Sequence, residues 1–124
     1  MYQLLSLAVA ALFLLNSGVV WYAMRQAANV ELPQNSALGV RTALSKQSLR
    51  NWNIANFAGR HLMGVQAGIF LLGALTLGSY GIFFEPTILW ITVLTAAVLL
   101  SVAFFYIANT LVANKAIKEY VDVA

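Results

Sequence analysis

The chain has 124 residues, of which 61% are hydrophobic and 9% are charged, and its formal net charge is +3 at pH 7. Soluble globular domains carry about 25% charged residues, so this chain has too little polar surface to cover a water-soluble particle of its size. It contains no cysteine, which excludes disulfides and thiol chemistry. The composition therefore predicts an all-α membrane protein of one domain, with lipid covering most of its surface.

The first apolar segment, residues 2–24, is predicted to be a transmembrane helix, because about 20 apolar residues suffice to cross a bilayer. A cleaved signal peptide is disfavoured, since it has a basic start and a shorter apolar run, whereas no Lys or Arg precedes Arg25. A polar connector follows over residues 25–47, and its turn residues include Pro33 and Gly39.

A second helix is predicted over residues 48–84. It begins at a serine cap and runs without a break into the second apolar segment. Glu85 and Pro86 then form a short turn. A third span is predicted over residues 87–110, followed by a tail of residues 111–124. The sequence thus predicts three transmembrane helices.

The placement of the basic residues predicts the orientation of these helices. All seven Lys and Arg residues lie in the connector, in the helix after it and in the C-terminal tail. None lies near the N-terminus or the Glu85 turn. Because cytoplasmic segments are enriched in Lys and Arg, we expect the N-terminus outside and both the connector and the C-terminus in the cytoplasm.

The sequence lacks the residue sets that carry most enzyme chemistry. The single histidine, His61, has no cysteine or nearby acid with which to share a metal, and Glu85 falls at a predicted turn. No Ser–His–Asp set, paired carboxylates or phosphate loop is evident. We therefore predict a protein that is not an enzyme and has no cofactor. A nucleic-acid partner is disfavoured, because no soluble fold would present a basic patch.

The most polar stretch of the chain, LGVRTALSKQSLRNWNIANFAG at residues 38–59, lies between the first two apolar segments. At about 100° per residue, Trp52, Asn56 and Arg60 share one face of a helix, and this face continues to Gly64. Small and polar residues are typical of helix faces that contact protein rather than lipid. The stretch is either a binding site or a solvated connector, and its pattern is compatible with both.

The second apolar segment carries a G-x-x-x-G pattern formed by Gly64 and Gly68. Small residues one helical turn apart let two helices approach closely in lipid. The pattern is equally compatible with packing inside this chain and with docking onto another membrane protein.

The polar stretch resembles the signature of the SdpI/YfhL family of small bacterial membrane proteins. In that family, G-[IV]-R-T-P-x-T is followed by a few residues rich in Ser and Glu, then by W-x-x-x-[NH] and a Gly. The matching residues here are Gly39, Val40, Arg41, Thr42, Ser45, Trp52, Asn56 and Gly59. Ala43 replaces the proline, and Leu49 and Arg50 stand where acidic residues are usual.

The resemblance implies a short family member, located as a multi-pass protein in the bacterial cytoplasmic membrane. Longer members act in immunity to a secreted peptide toxin, and the archetype also captures a repressor at the membrane. The implied function is therefore the binding of a protein or peptide, besides contact with membrane lipid. The resemblance implies a site with Arg41 and Thr42 in the loop and with Trp52 and Asn56 at the start of the helix. We expect Arg50 and Arg60 to contact anions or headgroups beside it.

An accessory structural subunit of a larger membrane complex, such as a respiratory supercomplex, is the alternative. The small size of the chain and the glycines of its second span favour it, because small helical subunits stabilise complexes by packing.

Overall fold

The computed structural model describes residues 1–34 and 38–123, with side chains described as far as Glu119. The helices in chain order are α1 (Gln3–Ala28), a short 3-10 helix (Ser45–Gln47), α2 (Leu49–Ala58), α3 (Arg60–Phe83) and α4 (Ile88–Val123). These two ranges contain no β-strand, as expected for an all-α protein.

Three of the helices are long and apolar enough to cross a membrane. They are α1, α3 and the Ile88–Glu119 part of α4, which agrees with the three predicted spans. Most of α4 is exposed, and its apolar side chains include Leu100, Phe104 and Leu111. Lipid is the solvent that suits such a surface.

The second helix differs from the unbroken helix that the sequence pattern predicts over residues 48–84. α2 ends at Ala58, Gly59 interrupts the helix, and α3 begins at Arg60. α2 packs against α4 and the end of α1, where Trp52 and Ala55 become buried. Gly59 itself keeps a right-handed backbone, with φ −85° and ψ 0°, which any residue can adopt.

The third span also differs in its length. It continues as one helix from Ile88 to Val123, so the predicted tail of residues 111–124 is largely an extension of α4. The first helix likewise runs to Ala28, a few residues beyond the predicted end of its span.

The α1–α3 pair is the most extensive helix pairing. The hydroxyl of Ser6 donates to the carbonyl oxygen of Leu77 at 2.6 Å, and that of Ser17 donates to the carbonyl oxygen of Ala67 at 2.8 Å. Phe13 and Phe70 meet with ring centroids 5.7 Å apart. Hydrogen bonds and close packing of this kind hold membrane helices together, because lipid supplies no hydrophobic force between them.

A second cluster of buried residues lies where the connector meets the spans, and we call it the connector core. It joins residues of all four helices and of the connector itself. Its buried members are Ala23, Ala27, Leu32, Val40, Trp52, Ala55, Met63, Ala113 and Ile117. The described parts of the connector on either side of residues 35–37 therefore pack onto the ends of the spans.

Candidate functional site

Trp52 lies at the centre of the connector core. Its side chain is 0% exposed, and its indole Nε1 donates to the carbonyl oxygen of Leu32 at 2.9 Å. α2 is positioned by Ser48, whose hydroxyl accepts from the backbone N–H of Asn51 at 3.0 Å, an N-cap interaction. Trp52 thus holds the segment after α1 against α2.

Asn56 holds the start of the motif. Its Oδ1 accepts from the backbone N–H of Val40 at 2.7 Å, and its Nδ2 donates to the carbonyl oxygen of Trp52 at 3.0 Å. Gly39 has a φ of +92°, and a Cβ at this position would collide with the Asn56 side chain and lie 2.6 Å from Leu32 Cδ2. Gly39 is therefore required both by its backbone conformation and by the close approach of Asn56.

Thr42 and Ser45 close the turn that precedes α2. The Ser45 hydroxyl accepts from the backbone N–H of Thr42 at 2.9 Å and donates to the carbonyl oxygen of Val40 at 3.0 Å. The Thr42 hydroxyl accepts from the N–H of Ser45 at 3.0 Å and donates to Asn114 Oδ1 at 2.8 Å. The last bond ties the connector to α4.

Gly59 completes the set of buried motif residues. A Cβ at Gly59 would collide with the side-chain amide of Asn109, so this glycine lets α4 approach the junction of α2 and α3. Sequence reasoning missed both Asn109 and Asn114. The available signal was an asparagine within an apolar helix, since such residues face protein rather than lipid.

The charged candidates lie at the surface of this assembly. Arg41 and Arg50 are exposed, and Arg60 is partly exposed. Arg60 Nη1 donates to the carbonyl oxygen of Phe57 at 2.6 Å, and its guanidinium carbon lies 3.8 Å from the centroid of the Phe57 ring. Arg60 therefore binds Phe57 within the chain, besides any contact with a headgroup.

An apolar pocket of about 240 Å³ is lined by Phe57, the residue whose ring Arg60 covers. Its lining residues come from the end of α1, from α2 and from α4, and they are Val30, Asn53, Ile54, Phe57, Ala58 and Ala116. Val30 is 50% exposed and Phe57 is 42% exposed. The pocket therefore presents apolar side chains at the surface where the connector meets α2 and α4.

Val30 is held in a strained conformation at the edge of this pocket. Its φ is +58°, which is unfavourable for a β-branched residue. The N–H of Glu31 donates to the carbonyl oxygen of Gln26 at 2.8 Å, and the N–H of Val30 donates to the carbonyl oxygen of Ala27 at 3.2 Å. This is a Schellman ending of α1, in which glycine usually occupies the position of Val30.

The glycines of the second span have different surroundings. A Cβ at Gly64 would lie 3.0 Å from Met24 Sδ, whereas a Cβ at Gly68 would meet no atom within 4 Å. Gly68 instead lines an open groove of about 430 Å³ with Gly18 and Trp21. The G-x-x-x-G pattern thus contributes to packing within the chain at Gly64, while Gly68 stays open.

The fold and the buried connector define a multi-pass helical membrane protein. The model of the SdpI/YfhL protein family matches residues 31–108, more than half of the chain, and the chain belongs to this family, as its motif predicts. The match contains the motif from Gly39 to Gly59 and ends just before Asn109. Neither the curated proteins nor the solved structures include a match.

Proposed function

We propose that this protein acts without catalysis, by binding a protein or peptide partner at the exposed face that its connector forms with α2. Membership of the SdpI/YfhL family supports a membrane protein of the SdpI type. Trp52, Asn56 and Ser45 are buried and bonded within the chain, so these motif residues shape the connector, and a partner meets its exposed residues instead.

The observation that carries the proposal is the strained Val30 beside the apolar pocket. A left-handed conformation costs a non-glycine residue roughly 1–2 kcal/mol. Strain of this size persists at functional sites when the side chain is needed there. Val30 and Phe57 expose apolar surface at the pocket, and Arg60 lies over the Phe57 ring, a combination of anchor and charge that is typical of protein interfaces.

The charge of the connector, taken together with α2 and the first residue of α3, favours an acidic partner. Residues 25–60 contain one acid, Glu31, while the basic residues are Arg25, Arg41, Lys46, Arg50 and Arg60. A partner segment with one apolar side chain and neighbouring carboxylates would complement the pocket and its surroundings. We further propose that the connector and the C-terminus lie in the bacterial cytoplasm. A cytoplasmic regulator then fits better than a secreted peptide toxin.

Partner capture is expected to fall about tenfold or more in Phe57→Ala, because loss of a central anchor costs an interface about 2 kcal/mol. The measurement is quantitative mass spectrometry after purification in mild detergent from the native host. Phe104→Ala is the matched control, since Phe104 is exposed on the apolar surface of α4. Equal capture by wild-type protein and Phe57→Ala would contradict the proposed site.

Val30→Gly separates binding from stability in the same experiment. It is expected to raise the free energy of unfolding by about 1 kcal/mol, because glycine adopts the left-handed conformation without strain. It is also expected to lower capture, because the pocket loses one wall. A variant that is both more stable and fully competent in capture would show that Val30 has no part in binding.

The accessory-subunit alternative is favoured by the open groove at Gly18 and Gly68. Neither glycine has an atom within 4 Å of its would-be Cβ, so a partner helix has access to both backbones. A stable stoichiometric complex that survives Phe57→Ala but is lost in Gly68→Leu would support this function over the first.

A further inference from the structure

An asparagine is exposed in the middle of the first span. Asn16 lies near the midpoint of α1, which is long and apolar enough to cross a membrane. At helical rise, about 18–20 Å separate it from each end of α1, so it lies deep in a hydrocarbon core about 30 Å thick. A polar group at this depth is costly unless it has hydrogen-bond partners.

The chain itself satisfies only part of the Asn16 amide. Asn16 Nδ2 donates to the carbonyl oxygen of Leu12 at 2.8 Å, one helical turn earlier. Among the described residues, no donor reaches its Oδ1, although an amide oxygen can accept two hydrogen bonds. Asn56 and Asn109, by contrast, are buried inside the protein. The Asn16 amide therefore has bonding capacity left on the outer surface of α1.

The neighbours of Asn16 form a regular line along α1, which we call the Asn16 seam. Leu5, Val9, Leu12, Asn16 and Val19 recur at alternating intervals of four and three residues. This is the a/d spacing of a coiled coil, with Val9 and Asn16 at a and the other three residues at d. The d residues are all exposed, and Val9 is partly exposed. The fold thus leaves the Asn16 seam open to a second helix.

We propose that the Asn16 seam pairs with the same seam of a second copy of this chain, as a parallel contact of two α1 helices. A two-fold interface places a residue near the axis beside its own copy. Because an amide both donates and accepts, the two Asn16 side chains bond to each other across this contact. Valine at a, leucine at d and a single asparagine at a are the combination that favours parallel two-stranded coiled coils.

Other occupants of the Asn16 seam suit its chemistry less well. Lipid chains offer no donor to Asn16 Oδ1, whereas asparagine side chains in membranes bond across helices. The placement of Lys and Arg orients every copy of the chain alike, so a second copy brings its own amide at the same depth and in parallel. The seam is also separate from the groove at Gly18, which lies about 160° around α1 from Asn16.

The test is oxidative crosslinking of the purified full chain in liposomes at a low protein-to-lipid ratio. The chain has no cysteine, so Leu12→Cys introduces a single thiol, and covalent dimers are expected with copper phenanthroline as oxidant. Leu14→Cys is the matched control and is expected to give few dimers. The two leucines are 58% and 56% exposed, but Leu14 lies about 160° around the helix from Asn16.

Asn16→Leu in the Leu12→Cys chain tests the amide itself. It is expected to lower the yield of dimers about 3- to 30-fold, the range for a hydrogen bond between membrane helices. Asn16→Gln keeps the amide and is expected to retain most of the dimer. Both substitutions are at an exposed position, so the packing within the chain remains.

Three outcomes would overturn the proposal. Equal crosslinking of Leu12→Cys and Leu14→Cys would indicate random encounters instead of a defined contact. An unchanged yield in Asn16→Leu would show that the amide has no part in the contact. If Leu12→Cys gave no dimer in liposomes but crosslinked to another protein in native membranes, the Asn16 seam would belong to a different partner helix.

Discussion

Replacing Trp52 with alanine is expected to lower the free energy of unfolding by about 3–5 kcal/mol, the range for large aromatic residues removed from a core. The loss combines the missing packing in the connector core with a carbonyl oxygen of Leu32 that no longer receives the indole N–H. Trp52→Phe keeps most of the packing. It should therefore show only the cost of the unpaired Leu32 carbonyl oxygen, about 1–3 kcal/mol.

The measurement for these tryptophan variants is reversible unfolding in mixed micelles, followed by near-UV circular dichroism. Trp90→Ala is the matched control, because Trp90 is 55% exposed on α4 and leaves no cavity inside the protein. If Trp52→Ala and Trp90→Ala lowered the free energy of unfolding equally, the connector core would contribute little to stability.

Gly39→Ala is expected to destabilise the protein by about 2–5 kcal/mol. Part of the cost is the left-handed backbone, roughly 1–2 kcal/mol, and the rest is overpacking of about 1–3 kcal/mol against Asn56 and Leu32. Displacement of Asn56 would also weaken its bond to the N–H of Val40.

Gly18→Ala is the control for the Gly39 variant. Its Cβ would meet no atom within 4 Å, and alanine is favoured over glycine in a helix by up to about 1 kcal/mol. We therefore expect neutral or slightly increased stability in the same unfolding assay. Equal effects of the two substitutions would mean that the Gly39 turn is not closely packed.

Hydrophobic patterning predicts the three spans because each depends on a long local run of apolar residues. The break at Gly59 and the course of α2 are not predictable in this way. They arise because Trp52 and Ala55 are buried against α1 and α4, and such long-range packing leaves no trace in local periodicity.

The motif locates the candidate site, but its sequence does not reveal which members are buried. Asn56 and Ser45 bond to backbone groups of the connector, whereas Asn114 bonds to Thr42 from 72 positions away. Local spacing cannot identify a partner so distant along the chain. The pocket at Val30 is likewise not predictable from the sequence, because the left-handed conformation of a valine is a property of the folded backbone.

The central claim is that the motif builds a packed connector rather than a solvated one, and amide hydrogen exchange of the protein in lipid nanodiscs tests it most directly. The Val40 N–H donates a buried hydrogen bond to Asn56 Oδ1. It is predicted to exchange far more slowly than the N–H of Arg50. Arg50 lies in the first turn of α2, where helix N–H groups lack an intrahelical acceptor. The predicted result is that the Val40 N–H exchanges slowly in the wild-type protein and fast in Asn56→Ala. If the Val40 N–H of the wild-type protein exchanged as fast as that of Arg50, the connector would not be packed as described.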